Sequence, residues 1–174
     1  MPNAGKGSET GMEHIQWIVR EAVEGDMSAI LDLYAECGLD DGIRLDDATA
    51  GAIFRRFAAY PNYRLFVVTG PDGAVVATYA LLIMDNIAHA GAPLSVVEQV
   101  AVASRHQGAG LGTLMMHHAM EESRHLGCYK LALSSAVKRE RAHDFYDKLG
   151  FERHGYSFVV DLVDQGAPQS AADS

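Results

Sequence analysis

The chain has no apolar run of membrane-spanning length. A helical crossing needs roughly 18 to 20 consecutive apolar residues, whereas the longest apolar stretches here are strand-sized and end in Gly, Asp or Pro. Cysteine is nearly absent as well, with Cys37 and Cys128 alone among 174 residues. They lie far apart and outside any CxxC or Cys/His ligand spacing, so neither a disulfide framework nor a zinc site is expected and both read as reduced structural thiols. Positive charge is in deficit, 14 Lys and Arg against 23 Asp and Glu, for a formal net charge of -9. Gripping nucleic acid phosphates requires a basic face, so nucleic acid is not an expected partner and a cationic small molecule suits the chain better. The opening MPNAGKGSETGM lacks the apolar segment and cleavage pattern of a secretory signal. The expectation is a cytoplasmic protein that crosses no membrane.

With 48% hydrophobic residues there is apolar material for one well-buried core. Residues 1–12 read as a disordered tail, 13–163 as one domain and 164–174 as a second disordered tail. Alternation predicts a strand over His14–Arg20, and the spacing of Ile30, Leu33 and Tyr34 predicts a helix capped by Asp26 and ending near Gly38. A second helix is expected over Asp47–Ala59, after the Asp-rich loop holding Asp40, Asp41, Asp46 and Asp47. The runs Tyr63–Thr69 and Ala74–Met84 flank Gly70-Pro71-Asp72-Gly73, a hairpin turn. Ser95–Ala103 is so apolar that it reads as a strand buried on both faces. Then come a helix over Gly110–Leu126, a strand over Tyr129–Ser134, a helix over Arg139–Leu149, and a closing strand or strand pair over Phe151–Leu162. The order β, α, α, β, β, β, α, β, α, β predicts an α/β (α+β) single domain, a mixed central sheet flanked by helices.

The most specific local feature is Arg105-His106-Gln107-Gly108-Ala109-Gly110-Leu111-Gly112-Thr113, set between the apolar strand and an amphipathic helix. At such a junction the first-turn amides have no intrahelical acceptor, the helix dipole adds positive potential, and glycines allow the positive φ angles that aim the donors. A pyrophosphate can dock there. A P-loop would need Lys beside Thr113, and a dinucleotide fingerprint would need Gly in its place. Both fit poorly, and a plain strand-to-helix turn remains the other reading.

Gln107, Gly110 and Gly112 satisfy the Gln/Arg-x-x-Gly-x-Gly/Ala signature of the GNAT superfamily of acetyl-CoA-dependent N-acetyltransferases, which the chain resembles. The resemblance extends over Val97–Ala103, Gly127–Leu133 and Ala142–Phe151, and covers residues 95–160 closely. It implies a mostly antiparallel sheet and a diphosphate of CoA held by backbone amides of Gln107, Gly108, Ala109, Gly110, Leu111, Gly112 and Thr113. It further implies that the strand splays from its neighbour, freeing the backbone of Val100, Ala101 and Val102 for the pantetheine arm. Glu98–Val102 and Gly127–Lys130 are similar to glucosamine-phosphate acetyltransferases, Val137–Arg139 with Ala142–Tyr146 to aminoalkylphosphonate acetyltransferases. Arg139 stands where many members carry Asn, seven residues before the tyrosine.

Transfer to an amine poses two proton problems. An amine with a pKa near ~10.4 is neutral to the order of one part in a thousand at pH 7, so a base or water relay is needed. Glu98, the one charged side chain in an otherwise apolar and amide run, is the candidate base; the alternative is a structural carboxylate paired with backbone, Arg105 or Lys130. Tyr146 is, by resemblance, the acid that protonates the departing CoA thiolate and a coenzyme contact; its helical phase with Ala142 and Leu149 also suits a core tyrosine. Lys138, Arg139 and Arg141 could reach a CoA phosphate or an anionic substrate group, and Asp40, Asp41, Asp46 and Asp47 could steer a cationic amine. His117, His118 and His125 lack ligand partners at metal spacing and read as packing or surface residues, so no metal is expected. The leading expectation is direct attack by a small-molecule primary amine on acetyl-CoA. A non-catalytic acyl-CoA-binding or regulatory module, acetylation of a protein amine and, last, an NAD(P)-binding oxidoreductase domain are the alternatives. A homodimer is one assembly open to such a chain.

Overall fold

The computed structural model describes residues 16–60, 62–160 and 162; the two expected tails, 1–12 and 164–174, lie outside the described residues. The chain forms two compact units divided between Leu133 and Ser134. The first holds a five-stranded sheet in the order β1-β2-β3-β4-β5. Its strands are β1 (Ile18–Glu21), β2 (Tyr63–Thr69), β3 (Val75–Met84), β4 (Leu94–Val102) and β5 (Lys130–Leu133), with helices α1 (Met27–Cys37), α2 (Asp47–Phe57) and α3 (Leu111–His125). All neighbours are antiparallel except β4 and β5, which run parallel.

The β2–β3 hairpin forms where the turn residues place it. Gly73 takes φ +78, its N–H donates to Gly70 O at 2.9 Å, and Asp72 accepts from Ala74 N–H at 3.0 Å. The strands it joins are the centre of the core: Leu65, Phe66, Val67, Val68, Ala77, Tyr79, Ala80 and Leu81 are all buried. Period-2 alternation splits their side chains between two faces. Leu65, Val67 and Ala80 pack with Met27, Ile30 and Leu31 of α1 and Ala50 of α2, while Phe66 and Tyr79 stack with centroids 5.1 Å apart and meet His118 of α3. Each such buried ring contributes about 2 kcal/mol.

Several sequence expectations shift. β1 begins at Ile18, and of the expected start at His14 the first two residues lie outside the described ones. Asp26 precedes α1 without capping it. Its carboxylate accepts from Val23 N–H at 2.8 Å and pairs with the Arg20 guanidinium at 2.7 and 2.8 Å, which holds it below the usual carboxylate range. Asp46 does cap α2, accepting from Thr49 N–H at 2.9 Å. β4 is not buried on both faces: Glu98 and Gln99 are exposed.

The second unit carries α4 (Glu140–Lys148), ended by Gly150 at φ +86. The strand expected over Phe151–Leu162 does not form, for residues 151–160 carry no strand, with Tyr156, Phe158, Val159 and Val160 exposed. Alternating apolar residues give strand propensity only; a strand also needs a backbone partner, and among the described residues this segment has none.

Candidate active site

The site grows out of β4. Along β3, Thr78 opposes Ala101 and Ala80 opposes Glu98, so β4 uses one residue more than β3 over the same span. The extra residue is absorbed at Gln99, which sits at φ +56, a left-handed conformation that costs a non-glycine residue on the order of 1 kcal/mol. The bulge explains why two neighbours, Glu98 and Gln99, are both exposed in a strand that should alternate. Tyr34 of α1 donates its hydroxyl to Gln99 Oε1 at 3.0 Å. Glu98 stands opposite Ala80, and Ala80 opposite Leu65, both of which pack on the α1–α2 face, and Tyr63 is pushed up by burial and then by the Glu98 charge. Among the described residues Glu98 makes no ion pair, so the expected desolvation of an unpaired carboxylate is replaced by solvent, and the pairing with Arg105 or Lys130 is not formed.

On its other side β4 pairs with β5 only from Leu94 opposite Lys130 to Val97 opposite Leu133. β4 then continues to Val102, leaving Val100, Ala101 and Val102 beyond the last β5 pairing. A short 3-10 turn, Ser104–His106, leads into the glycine segment. Gly108 and Gly110 both take φ +82, and a Cβ on either would meet no protein atom within 4 Å. Backbone conformation, not packing, therefore demands glycine at both positions. Gln107 and Ala109 spend their amides within the loop, on Ser104 O and His106 O, both at 3.2 Å. The amides of Gly108, Gly110, Leu111, Gly112 and Thr113 have no backbone acceptor among the described residues. They stand at the positive end of the 15-residue α3. This donor set fits a diphosphate and is narrower than the resemblance implies, because Gln107 and Ala109 donate their amides inside the loop. The Gln107 side chain reaches back to Val102 O at 3.4 Å.

Of the other sequence candidates, Arg139 and Tyr146 belong to the second unit, Arg139 immediately before α4 and Tyr146 within it. Burial pushes the Tyr146 phenol up, with Arg139 opposing, and its ring meets Phe145 and Phe151 edge-on at 5.1 and 5.5 Å. Lys138, Arg139 and Arg141 are exposed around an open depression with Glu140 and Ala142. The acidic loop is largely engaged locally: Asp46 caps α2, Asp47 joins Asp32 on Arg44, and Asp40 accepts from Gly42 N–H. Among the described residues no three His, Cys, Asp or Glu side chains cluster as a metal site, and no helix is long and apolar enough to cross a membrane. His118 is a packing residue, its Nδ1 2.7 Å from the Tyr79 hydroxyl. Sequence reasoning missed the bulge, Tyr34 and Tyr63; the adjacent polar pair Glu98-Gln99 was the one visible trace.

A parallel strand pair, one member of which runs on past the pairing into a glycine turn and a helix, is the arrangement the resemblance to acetyltransferases implies, and comparison places the chain in that class. Residues 27–151 match the Acetyltransferase (GNAT) family, and the chain belongs to that family, the match running through both units. It is 36% identical over 92 residues to the glucosamine 6-phosphate N-acetyltransferase of Trypanosoma brucei brucei, covering 53% of this chain and 60% of that protein. It is 28% identical over 101 residues to the aminoalkylphosphonate N-acetyltransferase of Salmonella typhimurium, covering 58% of this chain and 63% of that one. The crystal structure of a Trypanosoma brucei acetyltransferase superposes with a TM-score of 0.74 at 29% identity, covering 84% of this chain and 100% of that one.

Proposed function

We propose that the chain transfers the acetyl group of acetyl-CoA to the primary amine of a small molecule by direct attack in a ternary complex. The observation that carries this reading is the donor array at the head of α3, where two glycines at φ +82 leave the amides of Gly108, Gly110, Leu111, Gly112 and Thr113 without backbone acceptors. A diphosphate on those amides would direct the pantetheine arm along Val100, Ala101 and Val102, the part of β4 beyond its pairing with β5. Arg139 is the side-chain contact proposed for a coenzyme phosphate. When bound, acetyl-CoA supplies a thioester activated toward amines. Glu98, exposed on the bulged strand, takes a proton from the acceptor's ammonium directly or through water, so that the neutral amine attacks the thioester. Tyr146 gives its phenolic proton to the departing thiolate. Among the described residues neither Cys37 nor Cys128 hydrogen-bonds a basic side chain, Cys37 bonding Val102 O, so a covalent relay is not indicated.

The named relatives act on amines that also carry phosphorus, so phosphorylated amino sugars and aminophosphonates head the acceptor panel, followed by amino sugars, polyamines, amino acids and peptide N-termini. With acetyl-CoA present, free thiol is expected to appear above the amine-free rate for at least one small-molecule acceptor. Tight CoA binding with silence across the panel would turn the reading into a non-catalytic acyl-CoA module, and release with peptides alone would move it to protein amines.

A further inference from the structure

The last turn of α1 touches the exit of β4 at three successive points. Tyr34 bonds Gln99 at the bulge, Cys37 Sγ lies 3.5 Å from Val102 O at the strand end, and Glu36 Oε1 accepts from Ser104 N–H at 2.6 Å where the 3-10 turn begins. Downstream of these three points comes the glycine segment. Two features set Glu36 apart. Its side chain is exposed, so it fills no core space whose loss would leave a cavity. Its bond is of the charge-assisted kind, a carboxylate on a backbone N–H, and the Ser104 hydrogen bonds, followed by the nearby Arg105 charge, hold it below its ordinary range. The amide it receives is one that the start of a 3-10 turn leaves without an internal acceptor.

We propose that Glu36 is a positioning residue for the coenzyme loop: by holding Ser104 N–H it fixes where β4 leaves the sheet and thus the aim of the Gly108–Thr113 amides. The inference rests on the coenzyme reading above. Amide donors act on an anion only within a narrow range of distance and angle. A loop released at Ser104 keeps its glycines and loses their convergence. A free carboxylate near a diphosphate would repel it, so the engagement of Glu36 also keeps that charge directed at the turn.

Two variants separate the bond from the charge. Glu36→Ala and Glu36→Gln both remove the charge, but only the glutamine keeps an oxygen that can accept from Ser104 N–H. Ser104→Pro deletes the donor instead, and Ala103 at φ -50, ψ 132 already has the extended conformation that a following proline requires. Calorimetric titration with coenzyme A is expected to give Glu36→Ala and Ser104→Pro a dissociation constant raised roughly 5-fold or more, in line with the loss of one charge-assisted bond at a preorganised site. Glu36→Gln should stay within about 2-fold of the unaltered protein, because a neutral acceptor retains the geometry. In turnover, the KM for acetyl-CoA should rise while kcat at saturation holds, and the double variant should bind no worse than either single one. If the unaltered protein binds coenzyme A and Glu36→Ala binds it equally well, the positioning role is overturned. Glu36→Gln weakened as much as Glu36→Ala overturns it too, since charge alone would then be at work. If the unaltered protein fails to bind coenzyme A, it is the coenzyme reading that falls.

Discussion

A phenol can hand a proton to a departing thiolate only while it remains protonated. Burial pushes Tyr146 above its ordinary value, so it stays protonated through neutral and mildly alkaline pH, while the same shift makes it a weaker acid and leaves the proposed role to rest on position rather than on a tuned pKa. Replacing Tyr146 by Phe keeps the ring that meets Phe145 and Phe151 and removes only the hydroxyl. Turnover should fall roughly 100-fold, the usual range for losing a positioned acid, with coenzyme affinity little changed. Steady-state kinetics beside a coenzyme A titration checks this, and unchanged kcat would remove Tyr146 from the proton path. Glu98 illustrates how residue type and environment separate. The sequence shows a lone carboxylate in an apolar run, which suggests a desolvated acid, but the bulge turns it to solvent. Its candidacy as base now rests on its place on β4 alone, opposite Ala80 of the α1–α2 face.

The bulge in β4 is the element whose geometry the site depends on. It exposes Glu98 and hands Gln99 to Tyr34, and it exists only while residue 99 holds φ +56. A β-branched side chain resists that conformation more than glutamine does, whereas glycine accepts it freely. Gln99→Val should therefore destabilise the protein by about 2 kcal/mol, and Gln99→Gly should be near neutral as backbone relief offsets the lost Tyr34 contact. Chemical denaturation of the two variants measures the difference, and equal stabilities would mean that the left-handed residue is not a constraint. Most elements were legible beforehand. The hairpin followed from Gly70-Pro71-Asp72-Gly73, and α3 from its apolar stripe and glycine start, because turn chemistry and periodicity are local. The closing strand was misread over Phe151–Leu162 for the complementary reason: alternation is local, but pairing is not.

At the scale of the whole molecule, the face of the sheet under α3 carries a titratable group in its packing. His118 meets Phe66 and Tyr79, and Arg64, beside it on that face, bonds Glu122 of α3 and Glu21 of β1. Burial holds His118 below its ordinary pKa, against the pull of Glu122 and Glu121 and with that of Arg64. A histidine whose folded pKa is depressed binds its proton more readily when unfolded. Its stabilising contribution is thus complete above the unfolded value near ~6.5 and is lost as pH falls from there through the folded value. Thermal unfolding should accordingly give a lower Tm at pH 5 than at pH 8, and His118→Gln should flatten that difference. An equally steep profile in the variant would assign the acid sensitivity elsewhere.

The sequence by itself determined the order of most elements, the glycine turn at Gln107–Thr113 and the family, because propensity, turn chemistry and a spaced signature are properties of neighbouring residues. Tertiary structure decided which of the described amides lack a backbone acceptor, that Gln99 bulges out of β4, that Glu98 is exposed, and that Glu36 of α1 accepts from Ser104 N–H. Those outcomes depend on strand register and on contacts between residues some 65 positions apart, and no local pattern encodes the partner a backbone group will find.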